Sequence, residues 1–233
     1  MEAFYEFLQR SKLGTQIYQT LFYANRWTWY LNGLKMTLQL TVGAILVGTI
    51  LGIILALFSI SNFKPLRFIA KVYTTIIRGT PTTVQLLIIY NVILVSTTNK
   101  LLVGILAFGI NSGAYVAEIL RGGIMSVDGG QTEAGRSLGL KQWQTMLYIV
   151  LPQAIKNCVP TYTSEFIVLF KETSIAGYIG GVELTKIANM ITTQTYSPMV
   201  PLIVAALIYL AMVMLLTAVF DRLERRLRKS DAR

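Results

Sequence analysis

Histidine is absent from the 233 residues, and cysteine occurs once, as Cys158. The first absence excludes imidazole metal ligands and imidazole general bases. The second excludes an intrachain disulfide, and the apolar surroundings of Cys158 read as those of a buried thiol rather than a reactive one. Charge is scarce as well, at 14% of residues against 54% hydrophobic. A chain this apolar is not an ordinary soluble domain, and its length allows one membrane domain of several helices. The opening residues MEAFYEFLQRSKLG lack the basic and apolar regions of a cleaved signal peptide, so the first span is expected to act as the targeting element. Nothing fits G-x-x-x-x-G-K-[ST], the loop that cradles nucleotide phosphates.

What is present is a set of charge-free runs separated by basic residues. The net charge is +10. Its placement at the ends of apolar runs points to a membrane surface and away from nucleic acid. A bilayer core needs about 20 apolar residues as helix. The runs predict an all-α polytopic membrane protein with about five transmembrane helices, near 34–60, 80–97, 101–120, 146–170 and 199–220. The fourth is broken by charges and by Pro152 and Pro160. With the C-terminus cytoplasmic and the N-terminus outside, thirteen lysines and arginines fall inside and six outside. Four or six helices, which would put the N-terminus inside, are the alternative. The expected organisation is an extracytoplasmic or interfacial segment 1–30, a transmembrane domain 31–222 and a basic cytoplasmic tail 223–233. In the first span, GTILG (Gly48 to Gly52) fits either close helix–helix approach or ordinary scatter of glycine.

Between the third and fourth runs lies QTEAGRSLGLKQWQTMLYIVLPQA, Gln131 to Ala154. Gly129 and Gly130 suit a turn before a short polar helix. Glu133 suits its first turn, where a negative charge favours the helix dipole. Gly139 suits the position just past its end. The pattern reads as a helix–turn–helix on the cytoplasmic face, either a lever for a soluble partner or a solvated connector.

The order Glu133-Ala134, Gly139, Ile149, Leu151-Pro152 resembles the EAA motif of binding-protein-dependent ABC importer permeases, with its spacing kept. Gly135 replaces the second alanine of that motif, at about 1 kcal/mol of helix propensity. LNGLKMTLQLT (Leu31 to Thr41), IIRGTPTTVQLLIIY (Ile76 to Tyr90), NSGAYVAEILRGGI (Asn111 to Ile124) and SEFIVLFKETSI (Ser164 to Ile175) resemble segments of the polar amino-acid branch. Together they cover roughly residues 31 to 222. The resemblance implies a type I importer transmembrane subunit in a bacterial plasma membrane. It implies a second permease copy or paralogue, an ABC ATPase subunit and an extracytoplasmic amino-acid-binding protein as partners. ATP and Mg²⁺ would be held by the ATPase and no cofactor by this chain. The coupling helix, about 129–143, would contact the ATPase through Glu133, Ala134, Gly135, Arg136, Ser137, Leu138 and Gly139.

Polar groups inside the runs are candidates for a solute path. Asn111, Tyr115 and Glu118 share one helical face. Glu118 reads mainly as an edge residue pairing with Arg121. Glu165, Lys171, Glu172, Thr173 and Ser174 interrupt the fourth run, either lining a path or forming a structural ion pair. Arg78 to Pro81 reads as an anchor at a helix start, with Gln85 one turn further in as a path candidate. The segment from Glu183 to Pro198 reads as a surface helix packed on the spans or a contact for the binding protein. Acidic groups in the path would suit a basic amino acid, while glutamine, histidine and cystine stay open. The competing reading is a stand-alone channel or secondary transporter using Glu165 and Glu172. A membrane enzyme has no motif in its favour.

Overall fold

Ser11 caps the first helix, its Oγ accepting from the Gly14 amide at 2.9 Å. The computed structural model describes residues 11–228. Helix α1, Lys12–Ile17, passes through a π turn and a 3-10 turn into α2, Arg26–Ile60. Ala24 and Asn25 take left-handed conformations at that kink. The first span thus begins before the expected residue 34, because the apolar residues ahead of Lys35 continue the same helix. The expected boundary at 30/31 falls inside α2.

α3, Lys64–Arg78, was not expected as a separate helix. Pro65 lies in its first turn, where its missing N–H costs nothing. At Gly79-Thr80-Pro81 the chain turns by 104° into α4, Thr82–Ile88, which a π turn carries to Ile93. The span expected at 80–97 is therefore only about 18 Å of helix, too short to cross a bilayer core alone. Such a break frees carbonyls that need partners. The buried Gln85 supplies them: its amide nitrogen lies 2.7 Å from Ile77 O, 3.1 Å from Thr80 O and 2.7 Å from Thr80 Oγ1.

α5, Lys100–Met125, is capped by Asn99, whose Oδ1 accepts from Leu102 N. It packs along α2 in a parallel sense, with Leu40 beside Gly104, Gly48 beside Gly113 and Gly52 beside Val116. Parallel neighbours require a return between them, and the bent α3–α4 pair provides it. At Gly48 an added Cβ would lie 3.1 Å from Gly113 N and 3.2 Å from Gly109 O. Backbone on both sides makes close approach the role of GTILG. Gly48→Leu is therefore expected to destabilise the protein by about 1–3 kcal/mol, read as a lower thermal midpoint in detergent. Gly122→Ala, where an added Cβ has nothing within 4 Å, should leave the midpoint unchanged or raise it.

After α6, Gly129–Ser137, the chain enters α7, Gln142–Thr145, a π turn over Met146–Val150, and α8, Leu151–Glu172. In the π turn Leu151 N donates to Met146 O. The wider turn lets Pro152 sit without breaking the rod, so the interrupted fourth run is one helical stretch that also contains Pro160. α8 runs antiparallel to α5: Asn157 meets Ser126 at 2.9 Å and Glu165 meets Ser112 at 2.9 Å. A 3-10 segment, Thr173–Ile179, leads to α9, Leu184–Thr195, and α10, Met199–Arg228. α9 buries Leu184, Ile187, Ala188 and Ile191 in a cluster with Tyr30 and Ala205, as a surface helix packed on the spans. α10 returns along α8, with Phe166 edge-on to Phe220 and Phe170 to Tyr209.

Among the described residues all regular structure is helical. Lys12–Ile60, Lys100–Met125 and Met199–Arg226 are long and apolar enough to cross a membrane, and the bent pair passes that test jointly. The ends of α2, α5 and α10 lie at one end of the bundle with α6. Arg26, Lys100 and α9 lie at the other. Residues 1–10 of the expected N-terminal segment, and 229–233 of the tail, lie outside the described residues. α10 extends past the expected end of the domain at 222.

Candidate functional site

The elbow at one end of the bundle is built from strong local signals. Asp128 is the N-cap of α6, its Oδ1 accepting from Gly130 N at 2.9 Å. Gly129 and Gly130 therefore open the helix and do not precede it. Glu133 sits in the second turn, and the acid at the helix N-terminus is Asp128. At the other end Leu140 N donates to Gly135 O, and Gly139 N to Arg136 O. With Gly139 at φ +83° this is a Schellman closure, at the position where the sequence places it. Lys141 N then donates to Gln144 Oε1 at 2.8 Å and starts α7.

Glu133, Ala134, Arg136, Ser137, Leu138 and Gly139 are exposed, whereas Gly135 is buried. A Cβ on Gly135 would lie 2.8 Å from both Ile149 Cδ1 and Thr145 Cγ2. The glycine that departs from the EAA pattern is thus where α6 leans on the following helix. It lies late in α6 and does not loosen the first turn. Leu138 is 81% exposed and Trp143 58% exposed, with Leu147 and Tyr148 exposed nearby. These apolar groups beside charged Glu133 and Arg136 form a surface suited to a protein partner. Trp143 and Leu147 were missed in the sequence, although their spacing of four puts them on one helical face.

A second feature is a cavity of about 560 Å³ between α5 and α8. Arg78, Tyr115, Glu118, Asn157, Ser164 and Glu165 are among its lining residues. The Arg78 guanidinium lies 5.5 Å from the Tyr115 ring centre and 3.6 Å from Glu118. Arg121 holds Glu118 at 2.8 Å, the pairing expected from their spacing. Glu165 accepts from Ser112 Oγ. The cavity therefore presents one carboxylate without a basic partner, one guanidinium and several neutral donors, a set able to hold a zwitterion of amino-acid size.

The remaining path candidates separate. Asn111 donates to Gln85 Oε1 at 3.0 Å, so these two clamp the α3–α4 break and do not line this cavity. Thr173 is buried, and its hydroxyl closes the end of α8 on Phe170 O. Lys171 is exposed, and among the described residues neither it nor Glu172 forms an ion pair within 4.0 Å. Ser174 lines a different cavity of about 410 Å³ with Tyr178, Glu183 and Lys186, at the end opposite the elbow. Arg78 was missed as a cavity group, and Ser112 as the donor that holds Glu165. Arg78 sits in a quoted motif, but nothing local to Ser112 signals a carboxylate 53 residues away.

Glu183 was missed too. It is fully buried as the N-cap of α9, accepting from Thr185 N at 2.5 Å and Lys186 N at 2.7 Å. Burial outweighs these bonds and pushes its carboxyl up to about 7. The native state therefore prefers the protonated form, and its stabilising contribution is present below about pH 4.5 and lost as pH rises through about 7. The thermal midpoint should fall over that window, by at most about 3 kcal/mol in stability. Glu183→Gln should flatten the fall, and an unchanged slope would contradict the assignment.

Among the described residues no group of three or more acidic or thiol side chains could hold a metal ion. The family model described as binding-protein-dependent transport system inner membrane component matches residues 48–229. The arginine transport system permease protein ArtQ of Bacillus subtilis (strain 168) is 40% identical over 204 residues, covering 86% of this chain and 93% of ArtQ. The putative glutamine transport system permease protein GlnP of Rickettsia bellii (strain RML369-C) is 39% identical over 198 residues, covering 84% and 91%. The crystal structure of an amino acid ABC transporter with histidines matches with a TM-score of 0.81 at 43% identity, over 85% of this chain and 94% of that one. The chain belongs to the binding-protein-dependent transport system inner membrane components, within the polar amino-acid ABC importer permeases.

Proposed function

We propose that this chain is the membrane half of an ATP-driven importer for a polar or basic amino acid, with its ATPase on a separate subunit. Five crossings, namely α2, the bent α3–α4 pair, α5, the α7–α8 rod and α10, put the N-terminus outside and the C-terminus and α6 in the cytoplasm of a bacterial inner membrane. Two permeases, identical or paralogous, pair around the solute path. Each docks one ABC ATPase through Glu133 to Gly139, and an extracytoplasmic binding protein delivers the amino acid. ATP and Mg²⁺ belong to the ATPase.

The observation that carries this reading is the elbow: a helix closed at both ends, packed on α7 through Gly135, yet exposed along Glu133, Arg136 and Leu138. Closure of an ATPase dimer would move it as a rigid handle. The cavity below it, with Tyr115 and Glu165, is read as part of the solute path. Glu165 faces it without a cation and suits a substrate that carries one. The test is ATPase activity of the reconstituted complex with its binding protein across a panel of amino acids. Stimulation by one polar or basic amino acid supports the assignment, and no stimulation by any of them contradicts it.

A further inference from the structure

Arg26 is a buried cation that meets no counter-charge among the described residues. It is 6% exposed at the start of α2. Among the described residues no carboxylate lies within 4.0 Å of it. Among the described residues two of its five N–H groups are engaged, one with Gln19 O at 2.5 Å and one with Gln194 Oε1 at 2.8 Å. Its Nε has no hydrogen-bond partner there. Tyr23 and Trp29 lie 5.0 and 6.0 Å from the guanidinium carbon. Ring faces soften the charge but do not satisfy an in-plane N–H. A buried guanidinium with unused donors is costly unless an anion joins it.

The surroundings indicate which anion. A cavity of about 380 Å³ lies against Arg26, lined also by Gln19, Tyr23, Gln194 and Thr195. Those neighbours are neutral, so an anion there meets no competing charge on the lining. Tyr23 and Trp27 are about half exposed beside it, and Trp29 and Tyr30 follow. Such an aromatic cluster at the end of an apolar helix marks the membrane–water boundary. The oxyanion most abundant at that depth is phosphate, and the guanidinium fork takes two of its oxygens at once.

We infer that Arg26, with Gln19 and Gln194, forms a binding site for one phosphate group at the membrane boundary, supplied by an anionic phospholipid head or by a soluble phosphate ester. The site lies at the opposite end of the bundle from the ATPase elbow and stands independently of the transport assignment.

The full-length chain is placed in nanodiscs of phosphatidylcholine, with or without phosphatidylglycerol, and its thermal midpoint is measured. Phosphatidylglycerol should raise the wild-type midpoint by roughly 5 °C at saturation. Lys35→Gln, an exposed cation outside the cavity, should keep that increment, and Arg26→Gln should lose it. Arg26→Lys, which keeps the charge but not the fork, should lose most of it and serves if the glutamine variant fails to fold. Glycerol 1-phosphate added to phosphatidylcholine discs separates the sources: an equal increment supports the site with a soluble ester, and none supports it with a lipid head. An increment that survives in both Arg26 variants overturns the proposal. So does a result in which Glu2→Gln with Glu6→Gln lowers the wild-type midpoint but not that of Arg26→Gln, since the counter-charge would then be the chain's own.

Discussion

Glu133→Lys is expected to leave the permease folded and inserted while weakening its hold on the ATPase roughly 30-fold or more. Glu133 is exposed in the second turn of α6 and makes no ion pair within the described chain. Its loss therefore removes little from the fold. In the partner's cleft the same carboxylate would be desolvated, and losing one member of a buried charge pair at an interface costs about 2 kcal/mol or more. Co-purification with the ATPase and ATP-driven uptake should fall together, while the thermal midpoint of the isolated permease stays within about a degree or two. Retained co-purification with normal uptake would remove Glu133 from the contact. A collapse of the permease itself would make α6 structural, against its exposure.

Glu165→Gln carries the second large expectation. Glutamine keeps an acceptor for Ser112 Oγ, so the α5–α8 contact persists. The negative charge facing the cavity is lost. A hydrogen bond to a charged group contributes about 1.5–3 kcal/mol, so uptake at low substrate should drop roughly 10- to 100-fold. The loss should appear chiefly in KM for a substrate bearing a cationic side chain. Co-purification with the ATPase should not change. Unchanged uptake and unchanged preference among amino acids would instead assign Glu165 to holding the bundle together.

Span positions were legible where charge-free runs coincide with uninterrupted helices, as in α2, α5 and α10. The elbow was legible almost residue by residue, since Gly139 beyond a short polar helix specifies its own closure. What was misplaced there, the start of α6, turned on Asp128 being a cap while the glycines after it are helical. The α3–α4 break was hidden because Lys64, Arg67, Lys71 and Arg78 marked 64–78 as a cytoplasmic connector, with Pro81 read as the start of a separate span. Its repair by Gln85 and Asn111 depends on contacts between distant segments, so both read as path residues when seen only as polar groups in apolar runs. Glu183 was overlooked for the opposite reason: a glutamate before a polar helix reads as solvent-facing, and only the packing of α9 onto α2 and α10 buries it. In the path, Glu165 was visible as a charge out of place. Its partner Ser112 comes from another helix and carries no local mark.

The most direct test is uptake of radiolabelled amino acid into proteoliposomes that hold the permease alone, or the permease with its ATPase and binding protein. Motor-driven coupling through α6 gives no uptake by the permease alone, with or without a proton gradient, and ATP-dependent uptake by the full assembly. Solute movement by the permease alone, down its own gradient or driven by protons, would contradict it.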